Sequence, residues 1–265
     1  MSSRLPELAP DLDLARRFVA HRPPPGEVLL CGITGSHHYG FTSADSDLDI
    51  KGIHQAPTSQ LLALESVRQN HDALEIYEGV ECDLTTNELR QAMKLLVAGN
   101  GNLLERIFSP HQLFEGDTLR ALRELAGRSL SQASFSHYRG YFAGMKREHQ
   151  RQRPPRAKSL LYSYRVALSG VHLLSRGEVC AHLPTLVEEH GFHEVLELID
   201  VKRAGAEKEP VPPELAAALR ARWPELEALL GQAHEHSSLP ESCPNLPEIE
   251  AWVVERRRQQ LLEEG

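Results

Sequence analysis

Two aspartates one residue apart, Asp47 and Asp49, are the side chains of this sequence with the clearest chemistry. They begin the largely apolar run 47–53, which predicts a strand, and alternate residues of a strand point to the same face. The two carboxylates would then stand roughly 6.5–7 Å apart and would repel each other unless a cation lay between them. Because carboxylate and phosphate oxygens are the usual ligands of Mg²⁺, the pair predicts a magnesium site for phosphoryl chemistry.

A Gly-Ser pair, Gly35-Ser36, comes before the two aspartates. Residues 28–33 form a short apolar run that predicts a buried strand, and glycine allows the sharp turn that must follow it. Ser36 can cap a short helix after this turn, where free backbone N–H groups suit a phosphate. Strand, turn, carboxylate pair and strand in this order indicate metal-assisted phosphoryl or nucleotidyl transfer. The alternative is a solvated polar loop, because lone Gly-Ser and Asp-x-Asp pairs are common.

This arrangement resembles the signature of the DNA polymerase β-like nucleotidyltransferase superfamily, in which Gly-Ser, a spacer and Asp-x-Asp follow in order. A fuller string is similar to a narrower group, the compact bacterial predicted nucleotidyltransferases. That string is Gly35-Ser36, Tyr39-Gly40-Phe41 and Ser46-Asp47-Leu48-Asp49-Ile50-Lys51-Gly52. Some members of the group are encoded beside RNA ligases in RNA-repair cassettes. The similarity extends, more weakly, along most of the chain.

The resemblance implies transfer of a nucleoside monophosphate from an NTP to a hydroxyl, with release of pyrophosphate. Asp47 and Asp49 would hold two Mg²⁺ ions, which Mn²⁺ can replace, and Gly35 and Ser36 would hold the β- and γ-phosphates. The preferred acceptor is an RNA 3′ end, for example that of a broken tRNA. An RNA ligase is the pathway partner that the resemblance implies.

The resemblance also implies a third carboxylate on a neighbouring strand. Residues 72–85 alternate apolar and acidic side chains around Glu78-Gly79, which predicts a β-hairpin. Asp83 is the best match by position for a catalytic, metal-binding carboxylate. Glu81 is the fallback, because it lies on the same face of the strand. An acid on an exposed strand can also serve solubility alone.

One helix face carries three polar side chains, Lys158, Tyr162 and Arg165, at positions i, i+4 and i+7. Apolar residues between 160 and 174 form a stripe on the opposite side. A lysine, an aromatic ring and an arginine aligned in this way can hold a triphosphate and stack a base. Their spacing also resembles that of the narrower group, so we expect them to bind the nucleotide. Without the resemblance they would form an ordinary surface face.

The most basic stretch covers residues 146–158 and is interrupted by Pro154 and Pro155. In an acidic protein this concentration of charge indicates a surface that faces phosphate, although a solvated charged loop fits equally well. The candidate RNA-binding residues are Lys146, Arg147, Arg151, Arg153 and Arg156. Lys202 and Arg203 are further cations that could reach a phosphate, but no motif surrounds them.

Composition restricts the class of protein. The 265 residues are 41% hydrophobic and 25% charged, which is ordinary for a globular protein. The net charge of −8 argues against a protein that coats nucleic acid, but not against a local basic groove. We find no signal peptide and no membrane span, and the four cysteines are widely spaced, so we expect a reduced cytoplasmic protein.

The pattern of elements predicts an α/β (α+β) fold in two domains. Residues 1–115 would form the catalytic domain, a small mixed sheet with flanking helices, and residues 116–265 a helical domain that binds substrate. Thr85 or Thr86 should cap the helix after the hairpin. Asn102 and Glu105 could line the site, although a capping role for Asn102 is equally compatible.

Two other functions stay open. One is the same chemistry with a different acceptor, either a protein, as in toxin–antitoxin systems, or a small molecule. The other is a non-catalytic module that binds RNA or a partner. The intact pair of Asp47 and Asp49 argues against the non-catalytic module.

Overall fold

The computed structural model describes residues 7–64, 66–205 and 211–264. Four strands lie within them: β1 Glu27–Ile33, β2 Leu48–Gln55, β3 Asn70–Tyr77 and β4 Val80–Glu88. The helices in chain order are α1 Leu12–His21, α2 Gly35–Tyr39, α3 Thr58–Leu62, α4 Leu89–Val97, α5 Gly101–Phe108, α6 Asp117–Arg128, α7 Ser134–Arg151, α8 Ala157–Arg176, α9 Leu183–His190, α10 Val195–Ala204, α11 Pro213–Ala221, α12 Trp223–Glu235 and α13 Leu246–Glu263. The expected mixed α and β fold, with a small sheet followed by helices, is confirmed.

The chain divides into two compact units. The sheet unit comprises Pro10–Thr34, Asp47–Ser131 and Ser242–Gly265. The helical unit comprises Met1–Ala9, Gly35–Ser46 and Gln132–Glu241. This division is not the single boundary near residue 115 that the sequence suggests. Both α6 and α13 belong to the sheet unit, and the segment 35–46, with its Gly-Ser pair, belongs to the helical unit.

The four strands form one mixed sheet with the order β1-β2-β4-β3. Neighbours β1 and β2 are antiparallel, β2 and β4 are parallel, and β3 and β4 are antiparallel. The predicted hairpin is confirmed, because β3 and β4 are joined by Glu78 and Gly79, which both have positive φ angles (50° and 85°). Two such residues form the tight turn that suits the twist of a hairpin.

The core of the sheet unit lies between the sheet and α1. Leu14 and Phe18 of α1 pack against Ile33, Ile50 and Leu84 of three strands, and all five are almost fully buried. The helix begins after Asp11, because the side chain of this N-cap residue accepts a hydrogen bond from the backbone N–H of Leu14 at 2.9 Å. Leu48 and Ile50 are buried, so β2 turns its apolar face to the core, as its alternation predicts.

The C-terminal helix α13 packs within the sheet unit through charged side chains. Arg256 pairs with Glu27 at 2.9 Å, and Arg257 pairs with Glu88. The two residues of the first pair are 229 positions apart in the sequence. Spacing along the chain therefore carries no signal for this association.

The central element of the helical unit is α8, which packs against α7, α9, α10 and α12. It is buried on every side from Leu160 to Leu174, apart from the half-buried Tyr162. Arg165, which the spacing places on one face with Lys158 and Tyr162, is therefore fully buried rather than part of an ordinary surface face. Hydrophobic periodicity marks the most apolar side of a helix, but it does not reveal how many neighbours surround it.

The prediction that Thr85 or Thr86 caps α4 is wrong. Thr85 and Thr86 lie inside β4, and Glu88 caps α4 instead, accepting a hydrogen bond from a backbone N–H at 2.8 Å. Asn100 rather than Asn102 caps α5. Residues 213–235 form two helices, α11 and α12, because the second starts anew with a proline in its first turn. In the part of the chain described, no helix has the length and apolar character needed to cross a membrane.

Candidate functional site

The predicted carboxylates of the sheet unit lie at the start of β2 and in the neighbouring strand. Asp47 directly precedes β2, and Asp49 is its second residue. Because β2 and β4 pair in parallel, Asp83 lies directly opposite Asp49 in the sheet. Residues paired in this way point to the same face. The side chains of Asp49 and Asp83 are 19% and 38% exposed, so both are open to solvent on one side.

Lys51 lies between these two carboxylates. Its ammonium nitrogen donates to Oδ2 of Asp83 at 2.7 Å and to Oγ1 of Thr85 at 3.3 Å, and it is 3.8 Å from Oδ1 of Asp49. The sequence contained the signal for this contact, because Lys51 follows Asp47 and Asp49 at the same two-residue spacing. The sequence interpretation assigned it no role. The structure thus places a cation between two acids on one sheet face, which relieves their repulsion.

Glu81, the alternative third carboxylate, is exposed and lies opposite Ile76 of β3. The pairing of β2 with β4 begins at Leu48 and Cys82, one residue after Glu81. Register therefore favours Asp83 over Glu81 as the acid beside Asp49.

The Gly-Ser pair lies in the short helix α2 of the helical unit. Gly35 has φ +64°, the left-handed region that glycine adopts without strain. Ser36 is buried, and its Oγ has no hydrogen-bond partner within residues 7–64, 66–205 and 211–264. A buried hydroxyl without a partner costs free energy, so an oxygen of a bound ligand would be a favourable acceptor for it.

Aromatic and cationic side chains hold the segment after α2 in place. The guanidinium of Arg165 lies 4.2 Å from the ring centre of Tyr39, and the ring of Tyr162 meets both Tyr39 and Phe41 edge-on at 5.6 Å. A desolvated contact between a cation and a ring is worth about 2 kcal/mol. Arg165 therefore packs against the aromatic ring at the end of α2, and its buried side chain does not share an exposed helix face with Lys158.

Lys202 and Arg203 also hold this segment. Lys202 is only 2% exposed and donates a hydrogen bond to Oγ of Ser43, which in turn donates to Asp45 at 2.7 Å. Arg203 donates to the backbone oxygen of Gly40 at 2.7 Å. The loop that leads to Asp47 is thus anchored by cations of α10. No sequence signal singled these cations out, because their partners are more than 150 positions away.

A cavity of about 390 Å³ in the helical unit brings together several predicted residues. Its lining residues are Tyr141, Met145, Glu148, Gln152, Arg156, Lys158, Ser159 and Tyr162. It combines two of the predicted nucleotide-binding residues with one of the predicted RNA-binding arginines. Such a mixture of aromatic, apolar and charged groups suits a ligand with a ring and an anionic group.

Burial favours the neutral form of two histidines whose rings contact residues that line this cavity. His149 shares a hydrogen bond of 2.8 Å with Ser159, and burial lowers the pKa of its imidazole. Burial, aided by the nearby charge of Arg165, lowers the pKa of His137 to about 4. Neither ring therefore adds positive charge to the site near neutral pH.

The basic stretch is largely exposed, as predicted. Four of its arginines have exposed side chains, and they are Arg147, Arg151, Arg153 and Arg156. Lys146 differs, because it pairs with Glu227 at 2.8 Å and lies 4.6 Å from the ring centre of Phe142. The four arginines are thus the better candidates for contacts with phosphate.

Asn102 and Glu105, the other two residues that could line the site, differ in exposure. Glu105 is 1% exposed within α5, whereas Asn102 is exposed.

Comparisons with known proteins place the chain in a family. No curated protein matches it. Among solved structures, a nucleotidyltransferase-like protein from Exiguobacterium sibiricum 255-15 aligns with a TM-score of 0.32 and 13% identity, over 83% of this chain and 74% of that chain. The model of the family described as RlaP, RNA repair pathway DNA polymerase beta family, matches residues 13–255. The chain therefore belongs to the RNA repair pathway DNA polymerase beta family of nucleotidyltransferases.

Proposed function

We propose that this protein transfers a nucleoside monophosphate from an NTP to a hydroxyl at an RNA 3′ end, releasing pyrophosphate. The observation that carries the proposal is the pairing of Asp49 with Asp83 across β2 and β4, with Asp47 directly before β2. Membership of an RNA repair family supports the choice of RNA as acceptor.

Asp47, Asp49 and Asp83 fit a divalent cation, because all three offer hard carboxylate oxygens and the paired two are partly exposed. These residues would hold Mg²⁺, or Mn²⁺ in its place, with two ions expected. When bound, such ions neutralise charge on the phosphate oxygens and lower the pKa of the attacking hydroxyl. Lys51 already gives Asp49 and Asp83 a cationic neighbour, so its ammonium group would compete with a metal ion for these two carboxylates.

The helical unit would bind the nucleotide. Ser36 would donate its unpartnered hydroxyl to a β- or γ-phosphate oxygen, and Gly35 would let the backbone approach closely. Lys158 would contribute a point charge and Tyr162 a stacking face, because both line the cavity of about 390 Å³. Arg165 has a positioning role in this proposal, since it holds the rings of Tyr39 and Tyr162.

The acceptor RNA would lie along the exposed arginines of residues 147–156. Each contact between an arginine and a phosphate is charge-assisted and is weakened by salt. A protein of net charge −8 would repel RNA elsewhere, so this local patch decides where RNA binds.

The proposal is tested by incubating the protein with Mg²⁺, each α-labelled NTP in turn, and RNA that ends in either a 3′-hydroxyl or a 3′-phosphate. We expect label only on the 3′-hydroxyl RNA. Asp83→Asn should reduce the rate at least 100-fold, on the scale of losing one electrostatic catalytic group. Glu81→Gln is the matched control, because it removes an acid on the same strand face and should leave the rate within about twofold.

Other outcomes separate the alternatives. If label appears on a protein or a small molecule in a cell extract and not on RNA, the acceptor is not RNA, but the nucleotidyl transfer chemistry still holds. An absence of label on any acceptor, together with no binding of Mg²⁺ and NTP, would leave only a binding module. An equal loss of rate in Asp83→Asn and Glu81→Gln would show that Asp83 has no special role in the reaction.

A further inference from the structure

Three metal-ligating side chains meet in the helical unit, apart from the residues discussed above. They are His172 of α8 and the last two residues of α9, Glu189 and His190. One potential ligand atom from each lies within 4.8 Å of the other two. We propose that these side chains form a binding site for a transition-metal ion, most readily Zn²⁺, which joins α8 to the end of α9.

The distances require little rearrangement. Zinc bonds nitrogen and oxygen at about 2.0–2.2 Å, so the ligand atoms of a tetrahedral site stand roughly 3.3–3.5 Å apart. Nδ1 of His172 is already 3.0 Å from Oε2 of Glu189. The ring of His190 is centred 6.4 Å from that of His172 and nearly perpendicular to it. One ligand atom of His190 already lies within 4.8 Å of those of His172 and Glu189, so the distances between the three atoms need to shorten by about 1.5 Å at most.

The surroundings resemble the outer shell of a metal site. Arg176 donates to Oε1 of Glu189 at 3.1 Å, which orients the carboxylate and leaves Oε2 facing His172. On its other side, Nε2 of His172 is 4.0 Å from Oε2 of Glu178. A carboxylate behind the second nitrogen of a ligating histidine is the usual arrangement, because it fixes the ring and raises its basicity.

His190 supplies an independent observation. Its Nε2 atom is buried and has no hydrogen-bond partner among the residues that the structure describes. A buried ring nitrogen without a partner costs free energy, and coordination of a metal ion removes that cost. No other group of three His, Cys, Asp or Glu side chains within the described ranges meets the same distance condition.

The donor set decides the kind of metal. Two imidazole nitrogens and one carboxylate suit Zn²⁺ and its transition-metal neighbours, whereas Mg²⁺ prefers oxygen ligands alone. The site thus differs in chemistry from the three aspartates of the sheet unit. Its three protein ligands leave one position for water.

The test measures retained metal in the full-length protein. The protein is equilibrated with Zn²⁺, passed over a chelating resin and analysed for zinc by mass spectrometry, and Co²⁺ replaces Zn²⁺ for visible absorption. We expect one zinc per chain and a tetrahedral Co²⁺ spectrum, both retained in Asp47→Ala/Asp49→Ala. His190→Gln and His172→Gln should lose both signals. His236→Gln is the matched control, because this exposed histidine of the same unit shares a hydrogen bond of 2.9 Å with a backbone oxygen and does not belong to the cluster.

The outcomes are decisive in each direction. His172 is largely buried, so circular dichroism must show that the His172→Gln variant is folded. If that variant is unfolded, His190→Gln serves as the test, because His190 is only half-buried. Zinc retained equally by a folded His190→Gln variant, or no zinc retained by the parent protein at micromolar concentration, overturns the proposal. Loss of zinc from Asp47→Ala/Asp49→Ala alone would assign the metal to the aspartates instead.

Discussion

Gly170 lies where α8 passes closest to its neighbours in the helical unit. A Cβ atom added there would stand 2.7 Å from Cβ of Tyr138 and 2.9 Å from a methyl carbon of Leu230. Real Cβ contacts essentially never fall below 3.0 Å, and the first contact is to an atom next to the backbone. Gly170→Ala therefore requires α7 and α8 to move apart.

The size of the effect is the difference between two terms. Overpacking a core by one methyl group typically costs about 1–3 kcal/mol. Alanine regains up to about 1 kcal/mol through its higher helix propensity. We expect a net loss of up to about 2 kcal/mol in the free energy of unfolding, which corresponds to a fall of up to roughly 8 °C in Tm for a chain of this size.

The control is Gly144→Ala in α7, where an added Cβ meets no atom within 4 Å. Here only helix propensity acts, so we expect stabilisation by up to about 1 kcal/mol. Urea denaturation of both variants, followed by circular dichroism, measures the two changes against the parent protein. Destabilisation of both variants by the same amount, or stabilisation of both, would refute the close packing inferred at Gly170.

Three further predictions concern the site. Lys51→Met removes the cation between Asp49 and Asp83, so the Mg²⁺ concentration that gives half-maximal activity should fall. A titration of the rate against Mg²⁺ measures this concentration, and an increase in it would contradict the prediction. Lys202→Met deprives Ser43 of a buried donor and should lower the free energy of unfolding by about 1–3 kcal/mol in urea, whereas no change would mean that the anchor is dispensable. For binding of single-stranded RNA, Arg151→Gln should reduce the slope of log K against log salt by about 0.7. Lys146→Gln, which removes a lysine already paired with Glu227, should leave that slope nearly unchanged.

Local features of the fold followed from the sequence because they depend on neighbouring residues. The hairpin around Glu78-Gly79 follows from alternation and turn chemistry, and β2 follows from the alternating run 47–53. Predictions at helix ends were less successful, since several polar residues near each boundary can serve as caps. At α5, for example, Asn100 and Asn102 are both suitable by type, and backbone geometry selects Asn100.

The sequence by itself determined which residues have the chemistry of the site: the Gly-Ser pair, the aspartates and the basic stretch. Only the tertiary structure decided what surrounds them. The parallel pairing of β2 and β4 sets Asp83 beside Asp49, and Lys51 then reaches both. Packing around α8 buries Arg165, which periodicity alone had placed on an open face. The physical reason is that spacing along a chain determines which way a side chain points, whereas its neighbours depend on segments that are distant in sequence.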